Sequence, residues 1–236
     1  MTDRQPTQDI PGRLAEIDAV HAWIRSAIAG LDEDGVRAPS GLPGWTRAHV
    51  LVHLGDLSRA FARQARYARR GETIEVYDGG RSTRDKSIEE NHTRDAAWLV
   101  EHADTGLADL RDAWSGLSPQ DWQRPCAYRD SPLIATQYAW WRESELHGVD
   151  LALGRTSERW SAPLAAHVVT YLQPRLGPDA GVRLEAPDAE LTWNPDGAVT
   201  VSAPLTALAA WISGRPAAAA PVVSPSGPPP LLHAWP

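Results

Sequence analysis

The sequence predicts a four-helix bundle followed by a small α+β domain. Apolar residues recur at helical spacing through four long segments up to about Leu153. Gly- and Pro-containing stretches separate those segments. After Gly154, short alternating runs around the turn signal "NPDG" replace the helical period. The expected boundaries are 11–154 for the bundle and 155–236 for the second domain.

Residues 1–10 are expected to be disordered. The first helix is carried by Leu14, Ile17, His21, Ile24, Ile28 and Leu31, and "DEDGVRAPSGLPGW" ends it. The second opens at Thr46, a good N-cap. It places Val50, His53, Leu54, Leu57, Phe61 and Ala65 on or near one face and stops at Arg70-Gly71. "ETIEVYDGGRSTRD" reads as a loop. A third helix is predicted from about Asp85 to Leu117, with Ile88, His92, Leu99, Leu107, Leu110 and Trp114 on its stripe. "SPQDWQRPCAYRDSP" is another loop, and the fourth helix covers roughly Leu133 to Leu153. Four such helices joined by loops form an antiparallel bundle. Beyond them, a short helix around Leu164–Leu172 leads to strands in "GVRLEAP", "AELTW" and "AVTVS". "APLTALAAWISGR" is a last helix, with Pro204 near its start and Gly214 at its end. Residues 216–230 are rich in Ala, Pro and Ser and read as irregular.

Composition removes several function classes. The net charge is −7, and no basic stripe interleaved with aromatic residues appears, so nucleic-acid binding is not expected. The cluster from Arg63 to Glu72 suits the end of a helix. No apolar run approaches the roughly 18–20 residues that cross a membrane. The first residues lack the apolar core of a signal peptide, so a cytoplasmic location is expected. Cys126 is the only cysteine, which excludes an intrachain disulfide and a Cys-based zinc ribbon. It reads as a small apolar residue. Thiol chemistry here would need a thiol brought by a ligand. The eleven tryptophans suit core and pocket walls.

The stretch "WWRESELHGVDL" carries polar residues among bulky apolar ones. Glu143 and His147 lie four apart, on one helical face. Such a pair is either a buried ion pair or half of a metal site. His53 is an imidazole on an inward face, which alone reads as a hydrogen-bonded core histidine. Together, two imidazoles and a carboxylate form a set suited to Zn²⁺ with a fourth position open. Other divalent ions accept the same set. His49, four residues before His53, is an alternative ligand, and His92 is a further candidate.

"LPGWTRAHVLVHLGDLSRAF" and "RESELHGVDLALG" resemble blocks of the mycothiol-dependent maleylpyruvate isomerase family, whose N-terminal domain is a DinB-like four-helix bundle. "YDGGRSTRDKSIEE" and "WISGR" are similar to further family segments. The resemblance implies that His53, Glu143 and His147 hold a divalent metal, usually zinc. Asp150 can then orient a ligand by hydrogen bonding, although a surface role at a helix end is as reasonable. The family often has a second histidine after the ligand, where this chain has Gly148. The implied cofactors are the metal and mycothiol. Its thiolate would add to the cis double bond of maleylpyruvate, permit rotation, and leave to give fumarylpyruvate. A substrate with two carboxylates calls for cationic clamps, and Arg84 and Arg215 are the candidates. Trp45 and Trp141 either line the pocket or pack the core. The same ligands would serve a mycothiol S-transferase or thiol-exchange enzyme, or a non-catalytic metal-binding regulatory module. Expected partners are a small thiol and a small electrophile, with no nucleic acid and no membrane, and a monomer is favoured over an oligomer.

Overall fold

The computed structural model describes residues 9–177 and 181–235. They fall into two compact units, Met1–Leu153 and Gly154–Pro236. Among the described residues there are eight α-helices and a four-stranded sheet, besides short 3-10 turns. No described helix is long and apolar enough to cross a membrane.

In the first unit, α1 (Ile10–Ile28) is capped by Asp9, whose carboxylate accepts from Gly12 N–H at 2.7 Å. Asp9 and Ile10 thus belong to an ordered helix start, correcting the last two positions of the expected disordered segment. The rest of that segment, residues 1–8, lies outside the described residues. The loop before Thr46 holds a short helix, α2 (Glu33–Arg37), which the reading of that stretch as a break overlooked. Asp32 caps it, accepting from Gly35 N–H at 2.8 Å. α3 (Arg47–Arg69) begins after Thr46.

The predicted third helix is two helices, α4 (Arg81–Asn91) and α5 (Ala96–Trp114). The break at "HTRD" has two causes. Arg37 donates to the backbone carbonyls of His92, Thr93 and Arg94, so these carbonyls do not continue a helix. Asp95 then starts a new helix by accepting from Trp98 N–H at 2.8 Å. α4 also begins four residues before the expected start, so Arg84 stands on a helix and not in a loop. α6 (Ile134–Asp150) completes the bundle.

α3 packs most extensively on α5, and α1 on α6. The interior holds Ile17, Ile24, Leu51, Leu54, Leu99, Leu107 and Trp140, all essentially without solvent contact. The α3–α5 contact is backbone against backbone. A Cβ on Gly106 would lie 2.6 Å from Ser58 Oγ, 2.8 Å from Gly55 O and 3.0 Å from Gly55 Cα. The hydroxyl can turn away, but the backbone atoms cannot. Gly106→Ala is therefore expected to destabilise the protein despite alanine's helix preference of about 1 kcal/mol. Overpacking of this kind costs about 1–3 kcal/mol. A lower midpoint in urea unfolding, at an unchanged slope, is the expected reading.

In the second unit, α7 (Ala162–Leu172) is capped by Ser161, and α8 (Leu205–Ser213) ends on Gly214 at φ 74°. Pro204 is the N-cap of α8, at the expected start of the helix. The sheet runs in the order β2 (Leu191–Trp193), β1 (Val182–Ala186), β3 (Val199–Ser202), β4 (Val222–Ser224). β1 and β3 are parallel, with Val182 opposite Val199. The outer pairs are antiparallel, with Leu184 opposite Trp193 and Val201 opposite Val223. β4 corrects the irregular tail expected over 216–230. It has three residues with a proline on either side, and such a segment is tolerated at a sheet edge.

Candidate metal centre

The end of α6 is bound to the start of α3. Arg47 donates through Nε to Leu151 O at 2.7 Å and through a terminal nitrogen to Ala152 O at 3.0 Å. A cation on the last carbonyls of a helix complements both their lone pairs and the helix dipole. Gly41 N–H donates to Asp150 O at 2.7 Å from the preceding loop. These ties bring the inward face of α3 against that of α6.

His53, Glu143 and His147 meet there. Each offers a donor atom, and all three lie within 4.8 Å of one another. His147 Nε2 is 3.3 Å from Glu143 Oε2, and His53 Nε2 is 3.6 Å from the same oxygen. The two imidazoles are edge to face, with centroids 4.5 Å apart. Both histidines are buried, at 3% and 8% exposure. His147 Nδ1 stands 2.9 Å from Asp150 Oδ2, and Asp150 is 1% exposed. A carboxylate only accepts, so Nδ1 carries a hydrogen toward Asp150, and Nε2 is the nitrogen that faces Glu143, as a donor to it in the protonated ring and as a metal ligand in the neutral one.

The three groups shift one another. Burial pushes the His53 imidazole down to about 4, the charge of His147 adds to this, and Glu143 offsets part of it. Burial would push the Glu143 carboxyl up. His147, His53 and Arg142 outweigh it and hold the carboxyl well below its usual range. For His147, burial acts downward, but Asp150 and Glu143 raise the imidazole overall.

An ion pair between Glu143 and His147 accounts for two of the three groups. It leaves His53 Nε2, a buried atom that makes no hydrogen bond. At 3.6 Å from Glu143 this nitrogen is attracted but not bonded. A divalent cation would satisfy it, and the N,N,O donor set fits such an ion.

The other candidate residues are placed as follows. Arg84 reaches from α4 to 3.4 Å from His53 Nδ1, and its other terminal nitrogen is 3.3 Å from Asp85 Oδ1. The Trp45 ring meets His53 edge-on, with centroids 6.2 Å apart, and stacks on His49 at 5.7 Å. Trp141 is 3% exposed, and its indole N–H donates to Glu16 at 2.8 Å, which ties α6 to α1. Arg215 is in the second unit, where it donates to Ser213 O at 2.7 Å and lies over the Trp235 ring. His49 and His92 stand apart from the centre, in a second group with Glu89. Cys126 is buried, its Sγ 3.3 Å from Ser131 O, and burial pushes the thiol up.

Two neighbours were not anticipated. Arg142 is 2% exposed and comes within 3.6 Å of Glu143 Oε1. Its place beside Glu143 in a buried helix was a usable signal. Tyr77 is in electrostatic reach of Arg84 and Glu143, and burial raises its hydroxyl. Its approach depends on how the segment before α4 folds back, which no local pattern announces.

Residues 17–152 match the family described as the mycothiol maleylpyruvate isomerase N-terminal domain. The chain belongs to this family. A crystal structure of the mycothiol-dependent maleylpyruvate isomerase superposes with a TM-score of 0.84 at 20% identity. That match covers 99% of this chain and 100% of the other. A mutant of that enzyme gives the same TM-score and coverage at 19% identity. At such identity the likeness establishes a shared fold, a helical bundle with a small mixed sheet after it. A search of curated protein sequences gave no significant match.

Proposed function

We propose that this member of the family is a mycothiol-dependent isomerase that converts maleylpyruvate to fumarylpyruvate, with Zn²⁺ held by His53, Glu143 and His147. The observation that carries the reading is the convergence of two buried imidazoles and a partly exposed carboxylate, one of the donors being a nitrogen with no hydrogen bond. When bound, the metal supplies acidification of a coordinated thiol, so that thiolate persists near neutral pH.

The residues of the chain have separable tasks. Asp150 fixes the ring of His147 and the nitrogen it presents. Asp150→Asn is expected to weaken metal affinity by about 10–100-fold, as loss of such a partner does. Competition with a chromogenic chelator would measure it, and unchanged affinity would remove Asp150 from the site. Arg142 and Arg84 bring positive charge to an acidic chain where a dicarboxylate has to bind. A guanidinium only donates, so Arg84 engages His53 while Nδ1 is an acceptor. Coordination through Nε2 requires the other tautomer, which turns Arg84 away and frees it for a substrate carboxylate. Trp45 is the candidate wall beside His53.

Incubation of the metal-replete chain with maleylpyruvate, with and without mycothiol, tests the proposal. Formation of fumarylpyruvate only in the presence of mycothiol, with free thiol conserved, is the expected result. Thiol consumed in step with an electrophile would replace isomerisation by S-transfer.

A further inference from the structure

The first unit contains a second group with metal-binding chemistry, one helical turn from the first on α3. His49, Glu89 and His92 each offer a donor atom, all within 4.8 Å of one another. The His49 and His92 rings are stacked, with centroids 3.9 Å apart and planes at 20°. His92 Nδ1 lies 3.2 Å from Ile88 O, and a carbonyl only accepts, so this nitrogen is protonated and Nε2 is left as a donor. His49 Nδ1 faces Thr46, 2.8 Å from the hydroxyl and 3.2 Å from the backbone nitrogen; an N–H only donates, so Nδ1 accepts here and Nε2 carries the hydrogen. The His92 imidazole is thus held from behind as metal-ligating histidines usually are, and His49 reaches the same tautomer by donating from Nδ1 to the Thr46 hydroxyl instead. Glu89 is exposed, which leaves room for water in the remaining positions.

We infer that His49, Glu89 and His92 form an accessory site for a divalent first-row transition ion such as Zn²⁺. Two imidazoles and a carboxylate suit this class of ion rather than Ca²⁺ or Mg²⁺. The ion would link the first turn of α3 to the end of α4. It is held less tightly than an ion at the first centre, because the site is more open to water. Binding through Nε2 requires His49 to donate from Nδ1 to the Thr46 hydroxyl and to release the bond from Thr46 N–H, as it requires His53 to release Arg84 at the first centre.

The inference is independent of the proposed function, and metal counting separates the two. The 236-residue chain is stripped with chelator, titrated with Zn²⁺ by calorimetry, and analysed for bound metal. The expected uptake is two equivalents. His92→Gln and Glu89→Gln each retain only the tighter one, His147→Ala retains only the weaker one, and His92→Gln/His147→Ala retains none. Circular dichroism checks that each variant is folded. The thermal midpoint of His147→Ala should rise with Zn²⁺, and that rise should vanish in the double variant. A single equivalent that survives His92→Gln and is lost in His147→Ala overturns the accessory site, as do two equivalents that survive His92→Gln. A single equivalent with the reverse pattern upholds it and overturns the first centre.

Discussion

Replacing His147 by alanine is expected to abolish turnover while the bundle stays folded. His147 lies 3.3 Å from the Glu143 oxygen and is braced by Asp150, so its loss removes one of the three proposed ligands and the nearest partner of the Glu143 carboxylate. A metal that stabilises developing charge is worth several kcal/mol, so activity should fall by about 100-fold or more. His53→Ala should act alike, because it removes the buried Nε2, which makes no hydrogen bond, along with the long contact from Arg84 to Nδ1. Initial rates with mycothiol and maleylpyruvate, alongside metal content, check both variants. Full activity in either one would mean that the group is a buried ion pair and not a catalytic centre.

Acid is expected to destabilise the bundle through His21. Its side chain is 5% exposed and accepts the indole hydrogen of Trp140 at 2.6 Å. Burial pushes the imidazole down to about 4 from its ordinary 6.5, and the charges of Arg111 and Arg25 add to this. A depressed histidine binds its proton more readily in the unfolded chain. Its stabilising contribution is therefore complete above the unfolded pKa and is lost as pH falls toward the folded one. The loss between about pH 7 and about pH 4.5 is about 2–3 kcal/mol. His21→Gln keeps an acceptor for Trp140 and removes the titration, so its unfolding free energy should fall less over that range. His53 is depressed to a similar value, so in metal-free protein the variant should retain part of the slope. An identical pH profile in parent and variant would contradict the assignment.

The helical period identified the long elements because each of them buries a stripe. It failed where the chain is controlled from a distance. The break between α4 and α5 contains neither glycine nor proline, and it is imposed by Arg37, more than fifty residues earlier. The Asp95 cap was the one local sign of it. α2 and β4 span five and three residues, too few to show a period. Of the candidate site, the four-residue spacing of Glu143 and His147 was legible, as was the inward face of His53. The approach of Arg84 was assigned to a loop because the start of α4 is polar and exposed. Tyr77 was missed because tertiary folding, rather than local spacing, brings it near Glu143. His49 and His92 were both noted as imidazoles, but their pairing with Glu89 required the position of α4 against α3.

The glycine contact between α3 and α5 bears on which parts of the site can move. A Cβ on Gly55 would lie 2.8 Å from His102 O, as one on Gly106 would meet Gly55 itself. Two backbones this close, with only the Ser58 and His102 side chains beside them, have few rotamers through which to slide or relax. α3 and α5 therefore shift together or not at all, and His53, two residues before Gly55, inherits that stiffness. Accommodation of an ion or a substrate then falls to the side chains of Arg84, Glu143 and His147, adjusting to an imidazole that serves as the fixed point of reference.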